Sequence, residues 1–140
     1  QQDATTTATD GDTNVALALE ELTRASPLDV TVSPPGAPVE LPSAVAAELL
    51  AAVRACLDNV AVHVGSDARA WLLLEDAPDR VTVTVRDEGP GIPRDRLAEA
   101  EADGRLGVSQ SIVGRLAEIG GTATLDTGPY GTEWELVVRR

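Results

Sequence analysis

Three polar or glycine-rich stretches interrupt an otherwise aliphatic sequence at places where a plain domain would need only turns. The first, Asp87-Glu88-Gly89-Pro90-Gly91-Ile92-Pro93, directly follows a strand-like alternation. An aspartate at a strand end accepts a hydrogen bond from an exocyclic amine, and adjacent glycines let the backbone approach a flat ligand. Read as a bare acidic turn, the same residues need no ligand. The second, Gly104-Arg105-Leu106-Gly107-Val108, stands before a helical pattern. Glycines at a helix N-terminus leave backbone N–H groups and the positive end of the helix dipole open to a phosphate. The third, Gly128 to Thr132, ends in a hydroxyl where an extended segment resumes.

A fourth group lies on the longest helical pattern. Asn59 and His63 are four residues apart and share a face. Asn59 is an amide among alanine, leucine and valine, where it needs a partner. A hard cation such as Mg²⁺, which prefers oxygen ligands and phosphates, supplies one.

These residues must be positioned by a framework whose pattern is legible. Asp12 or Thr13 caps a helix to about Ala25, with Val15, Leu19 and Leu22 on one face. Leu28 to Val32 alternates as a strand and stops at Pro34-Pro35-Gly36. Ser43 caps a long helix from Ala44 to about Val64, ended by Gly65. Trp71 to Leu74 and Val81 to Val85 form a hairpin, a helix runs from about Ser109 to Ile119, and Thr122–Asp126 with Glu133–Val138 form a second hairpin. Antiparallel hairpins with helices between them predict an α+β fold, a two-layer α/β sandwich of a mixed sheet with helices on one face. Residues 1–10 read as a disordered tail, 11–26 as a linker helix, and 27–140 as the functional domain.

The bulk numbers exclude several classes. A chain of 140 residues with 43% apolar and 24% charged content is one globular domain, and no apolar run is long enough to cross a bilayer. The net charge of −12 argues against nucleic acid or an acidic membrane as partner. All 11 cations are arginines, so a phosphate held by a side-chain cation falls to Arg or to a charged His. The start of the sequence lacks the pattern of a secretory leader, and the single cysteine, Cys56, fits a reducing compartment as a small buried hydrophobe. The expected location is cytoplasmic, with the full-length protein open to membrane anchoring elsewhere.

In order and spacing these boxes resemble the nucleotide-binding fold, often called the Bergerat fold, shared by gyrase, the Hsp90 chaperone, histidine kinases and the mismatch-repair protein MutL. The resemblance covers about residues 27 to 140. Leu57 to His63 looks like the N box, and Asp87 to Gly91 like the first glycine box. Gly104 to Val108 looks like the second glycine box, and Gly128 to Thr132 like the closing G-x-x-G-T. Within that superfamily the pattern is similar to sensor histidine kinases of the nitrate-sensor and desaturase-sensor type. The resemblance implies ATP and Mg²⁺ as ligands. Asp87 would take the adenine amine with Thr132 assisting through a water, Asn59 would hold Mg²⁺, and Gly89, Gly91 and Ile92 would shape the adenine floor. Gly104, Arg105, Leu106, Gly107 and Val108 would close over the phosphates, with His63 and Arg105 as charged contacts. It also implies two partners in two-component signal transduction, a dimerisation segment carrying the acceptor histidine and a cognate response regulator.

Two positions depart from that pattern. The Glu usual four residues before the N-box Asn is Ala55, and the Lys or Arg usual before the His is Val62. Glu48 is nearly in phase with Asn59 but about 16 Å away along the axis, which leaves Asp58 as the remaining candidate base. The only histidine, His63, falls in the ATP site, so the acceptor is expected on a separate segment. Two alternatives stand beside this reading: an anti-sigma factor serine kinase of the same fold, and a degenerate ATP-binding interaction module.

Overall fold

Strict two-residue alternation of aliphatic side chains sets the middle of the sheet, and the flanking strands add to it. Strands β4 (Arg69–Ala77) and β5 (Arg80–Asp87) form the central hairpin, antiparallel, with Leu72 opposite Val85 and Leu74 opposite Val83. β7 (Gly131–Arg139) pairs antiparallel with the other edge of β5, and β6 (Thr122–Gly128) with β7. β2 (Asp29–Ser33) adds to β4 in parallel, giving the order β2-β4-β5-β7-β6. The parallel pair arises because the chain crosses from β2 to β4 through a long helix, whereas β4–β5 and β6–β7 are joined by tight turns and β7 reaches β5 after α3 and β6. The computed structural model describes residues 11–89, 105–129 and 131–140, with 105–109 as backbone. The tail expected at 1–10 lies outside them, as do the site roles expected of Gly91, Ile92 and Gly104.

One face of the sheet is apolar. Ala70, Leu72 and Leu74 of β4, Val81, Val83 and Val85 of β5, and Trp134, Leu136 and Val138 of β7 are all buried. Helices α1 (Val15–Arg24), α2 (Ser43–His63) and α3 (Arg105–Glu118) cover that face, contributing Val15 and Leu19, then Leu49, Val53 and Leu57, then Ile112 and Leu116. Each fully buried Leu or Ile contributes roughly 1.5–3 kcal/mol relative to exposure. The other face carries Arg69, Thr84, Arg86, Glu133 and Glu135, and Leu73 stands 43% exposed there. This is the α+β sandwich with a mixed sheet and helices on one face that the alternation predicts.

The N-terminal region differs from expectation in instructive ways. Strand β1 (Asp12–Asn14) pairs antiparallel with β3 (Glu40–Pro42), two short strands without a sequence signal of their own. Their pairing changes both helix starts. Asn14, not Asp12 or Thr13, caps α1, its side chain accepting from the Leu17 N–H at 3.3 Å. Ser43 does not cap α2: it is the first helical residue, its N–H donates to the Gly11 carbonyl at 2.8 Å, and its hydroxyl bonds that of Thr13 at 2.9 Å. α1, expected as a linker, buries Val15 and Leu19 completely in the same core as α2. At the C-terminus, Arg140 ties the end of β4 to β3, pairing with Asp76 at 2.6 Å and donating to the Glu40 carbonyl at 3.1 Å.

Candidate functional site

The inner face of the sheet is apolar row after row until its last. Cross-strand partners on that last row are Ala70 of β4, Asp87 of β5, Thr132 of β7 and Thr127 of β6. Asp87 follows in phase from Val81, Val83 and Val85, and Thr132 precedes Trp134, Leu136 and Val138. The alternation that fills the core therefore also aims these polar groups to the same side. Asp87 is 5% exposed, so its carboxylate is held away from bulk water and needs hydrogen bonds. One comes from the Gly89 N–H, which donates to its Oδ1 at 2.9 Å. A carboxylate fixed in this way has an acceptor oxygen of set orientation at the end of the sheet, the group that an exocyclic amine requires.

Two close backbone approaches shape the surroundings. Gly131 has φ +133°, and a Cβ there would collide with the carbonyl of Asp87, so β7 starts hard against the end of β5. A Cβ on Gly89 would lie 2.5 Å from Cγ2 of Val64. Val64 follows α2 directly, so the loop after β5 returns onto the end of the helix that carries His63 and Asn59. At this end of the sheet a cleft of about 210 Å³ is lined by Asp87, Thr132, Gly128 and Gly131 together with Arg86, Asp126 and Glu133 of the outer face, so it opens around the sheet end and not under the helices.

On α2, Asn59 and His63 are partly buried, one turn apart, while Asp58 is exposed. Ala55 is partly buried and Val62 is 75% exposed. Glu48, too distant from Asn59 to serve it, instead pairs with Arg115 of α3 at 3.2 Å. Both side chains are partly exposed, so solvent screening keeps the contribution of the pair to stability small. Of the second glycine box, Arg105 to Val108 form the first turn of α3, earlier than the start at Ser109 expected from the apolar periodicity. The first four N–H groups of a helix have no acceptor within it, so these four residues supply the amides a phosphate would use. Thr127 and Val64 were not among the residues singled out by sequence, and Gly131 was named only as part of the closing G-x-x-G-T. The hint for Thr127 is its phase with Ala123 and Leu125, which becomes informative only once β6 is placed beside β7.

A mixed sheet covered on one face, with a buried carboxylate at its end beside the Asn- and His-bearing end of a long helix, is the architecture of a two-layer ATPase domain. A family model described as histidine kinase-, DNA gyrase B- and HSP90-like ATPase matches residues 44–140, and the chain belongs to that family. Among solved structures it is similar to the histidine kinase domain of a blue-light activated histidine kinase from Erythrobacter litoralis, with 23% identity and TM-score 0.63, over 88% of this chain and 56% of that one. It is similar to the ATP-binding domain of PrrB from Mycobacterium tuberculosis at 22% identity and TM-score 0.65, over 92% and 94% of the two chains. The mycobacterial sensor histidine kinase MprB aligns at 18% identity and TM-score 0.59, over 92% of this chain and 97% of that one. The chain thus spans little more than half of the first of these relatives. No curated protein matches it by sequence. It is an ATPase-family domain with the fold of histidine kinase catalytic domains. Among the described residues no helix is long and apolar enough to cross a membrane.

Proposed function

We propose that this domain presents MgATP to a histidine on a separate dimerisation segment of the same kinase, which then passes the phosphoryl group to a cognate response regulator in the cytoplasm. The carrying observation is the buried Asp87 carboxylate, oriented by the Gly89 N–H and paired in register with Thr132 at the polar end of an otherwise apolar sheet face. Asp87 receives the adenine amine, Thr132 assists it, and Gly89 with the segment through Gly91 and Ile92 forms the floor under the base. The amides from Gly104 to Val108 and the charges of Arg105 and His63 meet the phosphates. Bound Mg²⁺ neutralises phosphate charge, and the carboxamide oxygen of Asn59 is the oxygen donor this chain offers it. Catalysis is then in-line transfer governed by positioning and charge neutralisation. Ala55 removes the carboxylate usual on that face of the helix, so Asp58 is the candidate base. Residues 27–140 form the ATP-binding part and 11–26 join it to the acceptor segment. The boxes further support a kinase of the nitrate-sensor and desaturase-sensor type. The serine-kinase alternative is not favoured, since the similar structures named above are histidine kinases.

Two measurements test this. Asp87→Asn places an amide donor against the adenine amine and weakens ADP binding about a hundredfold, the effect of losing roughly 3 kcal/mol of charged hydrogen bonding. Incubation with ATP and a separately made acceptor segment yields an acid-labile phosphoryl adduct, as expected of phosphohistidine; an acid-stable adduct, or none, refutes the assignment. Loss of transfer in Asp58→Asn with ADP affinity intact identifies Asp58 as the base, and unchanged transfer removes it.

A further inference from the structure

The row that carries Asp87 and Thr132 continues one strand further than base recognition requires. Thr127 of β6 is the cross-strand partner of Thr132, and the two hydroxyl oxygens lie 3.0 Å apart. Thr127 points to the inner face, in phase with Ala123 and Leu125, where the neighbouring row is apolar: Leu125, Trp134, Val85 and Leu72. A valine of the same shape would continue that surface, and the polar side chain brings a hydroxyl that burial makes costly without a partner. A threonine hydroxyl has one proton and two lone pairs, and its rotor turns freely unless a bond fixes it. The bond between the two threonines commits one donor or acceptor position on each and so sets the direction in which Thr132 offers what remains.

We infer that Thr127 is a positioning residue for recognition of the nucleobase: by holding the Thr132 hydroxyl it sets the orientation of the group beside Asp87 and thereby the preference for a 6-amino over a 6-oxo purine. This rests on the reading of Asp87 and Thr132 as the adenine end of the site. Thr127 acts through Thr132 and the Thr127–Thr132–Asp87 row, and touching the ligand is not required of it.

The test measures binding of ADP and of inosine diphosphate to the whole chain by calorimetry, for the wild type, Thr127→Val and Thr127→Ser, with thermal melting of each. Thr127→Val keeps the shape and removes the hydroxyl, and it lowers ADP affinity about tenfold while inosine diphosphate affinity changes little, so the preference falls by the same factor. Thr127→Ser keeps the hydroxyl and retains the preference. An unchanged preference in Thr127→Val overturns the inference. Equal loss for both nucleotides in both variants, with a lowered melting temperature, also overturns it and leaves Thr127 a packing residue. A wild type that binds the two nucleotides alike, or binds neither, refutes the adenine reading itself.

Discussion

Replacing Gly131 by alanine addresses the tightest point of the site, where the first residue of β7 meets the last of β5. The backbone at Gly131 has φ +133°, a region open to glycine and strained for any residue with a side chain, at roughly 1–3 kcal/mol. A Cβ would also overlap the carbonyl group of Asp87 and press on Cα of Glu88, which are backbone atoms and cannot rotate aside. Overpacking of this kind costs roughly 1–3 kcal/mol more. Together the two effects come to about 4 kcal/mol, a large part of the 5–15 kcal/mol that holds a domain of this size. Gly36 is the control, since nothing lies within 4 Å of a Cβ built there. Urea titrations followed by circular dichroism should show Gly131→Ala with a much lower midpoint at unchanged slope, and Gly36→Ala near the wild type. The strand shift that relieves the overlap also moves Thr132 away from Asp87, so the folded fraction of Gly131→Ala should bind ADP more weakly. If the midpoints of Gly131→Ala and Gly36→Ala coincide, the account of the β5–β7 junction is wrong.

Gly114 sits inside α3, is exposed, and has open space around a Cβ. Gly114→Ala should therefore stabilise the protein by about 0.5–1 kcal/mol through helix propensity alone, read as a rise in melting temperature. The Cys56 thiol is 1% exposed, and burial pushes its pKa well above the ordinary value. It should resist thiol reagents in the native state and react fully in denaturant. Because the folded state retains the proton that the unfolded chain releases above about pH 9, this thiol contributes stability at neutral pH that is lost as pH rises beyond that point. The alkaline fall in stability should be shallower in Cys56→Ala, and equal slopes would refute the assignment of that loss to the thiol.

The residues proposed for the site stand out in the sequence because each sits in a local pattern that glycine or polarity breaks. Asp87 ends a perfect aliphatic alternation, Asn59 and His63 interrupt an Ala–Leu–Val helix, and Gly131-Thr132 reopens a strand. The strand and helix cores followed from the same periodicities, so the sandwich and its apolar face were in the sequence. The errors fell where long-range partners overrule local preference. Ser43 has the chemistry of a cap, but the arrival of β1 gives its hydroxyl to Thr13 and its N–H to Gly11. Helix α3 begins at Arg105 and not at Ser109, because a first turn of arginine and glycine leaves no apolar period in the sequence.

The sequence by itself determined the alternation of apolar and polar residues, and with it which side of each strand faces the core and which residue types stand at the strand ends. The two hairpins were legible too, but only the tertiary structure decided that β7 lies against β5 and β2 against β4. Register is a property of two segments at once: the bond between Thr127 and Thr132 needs the register of the β6–β7 hairpin, while the meeting of Gly89 with Val64 and the contact of Gly131 with the Asp87 carbonyl exist in no single stretch of chain. Alternation alone put Asp87 on the inner face; the pairing of β5, β7 and β6 put a row of hydroxyls beside it.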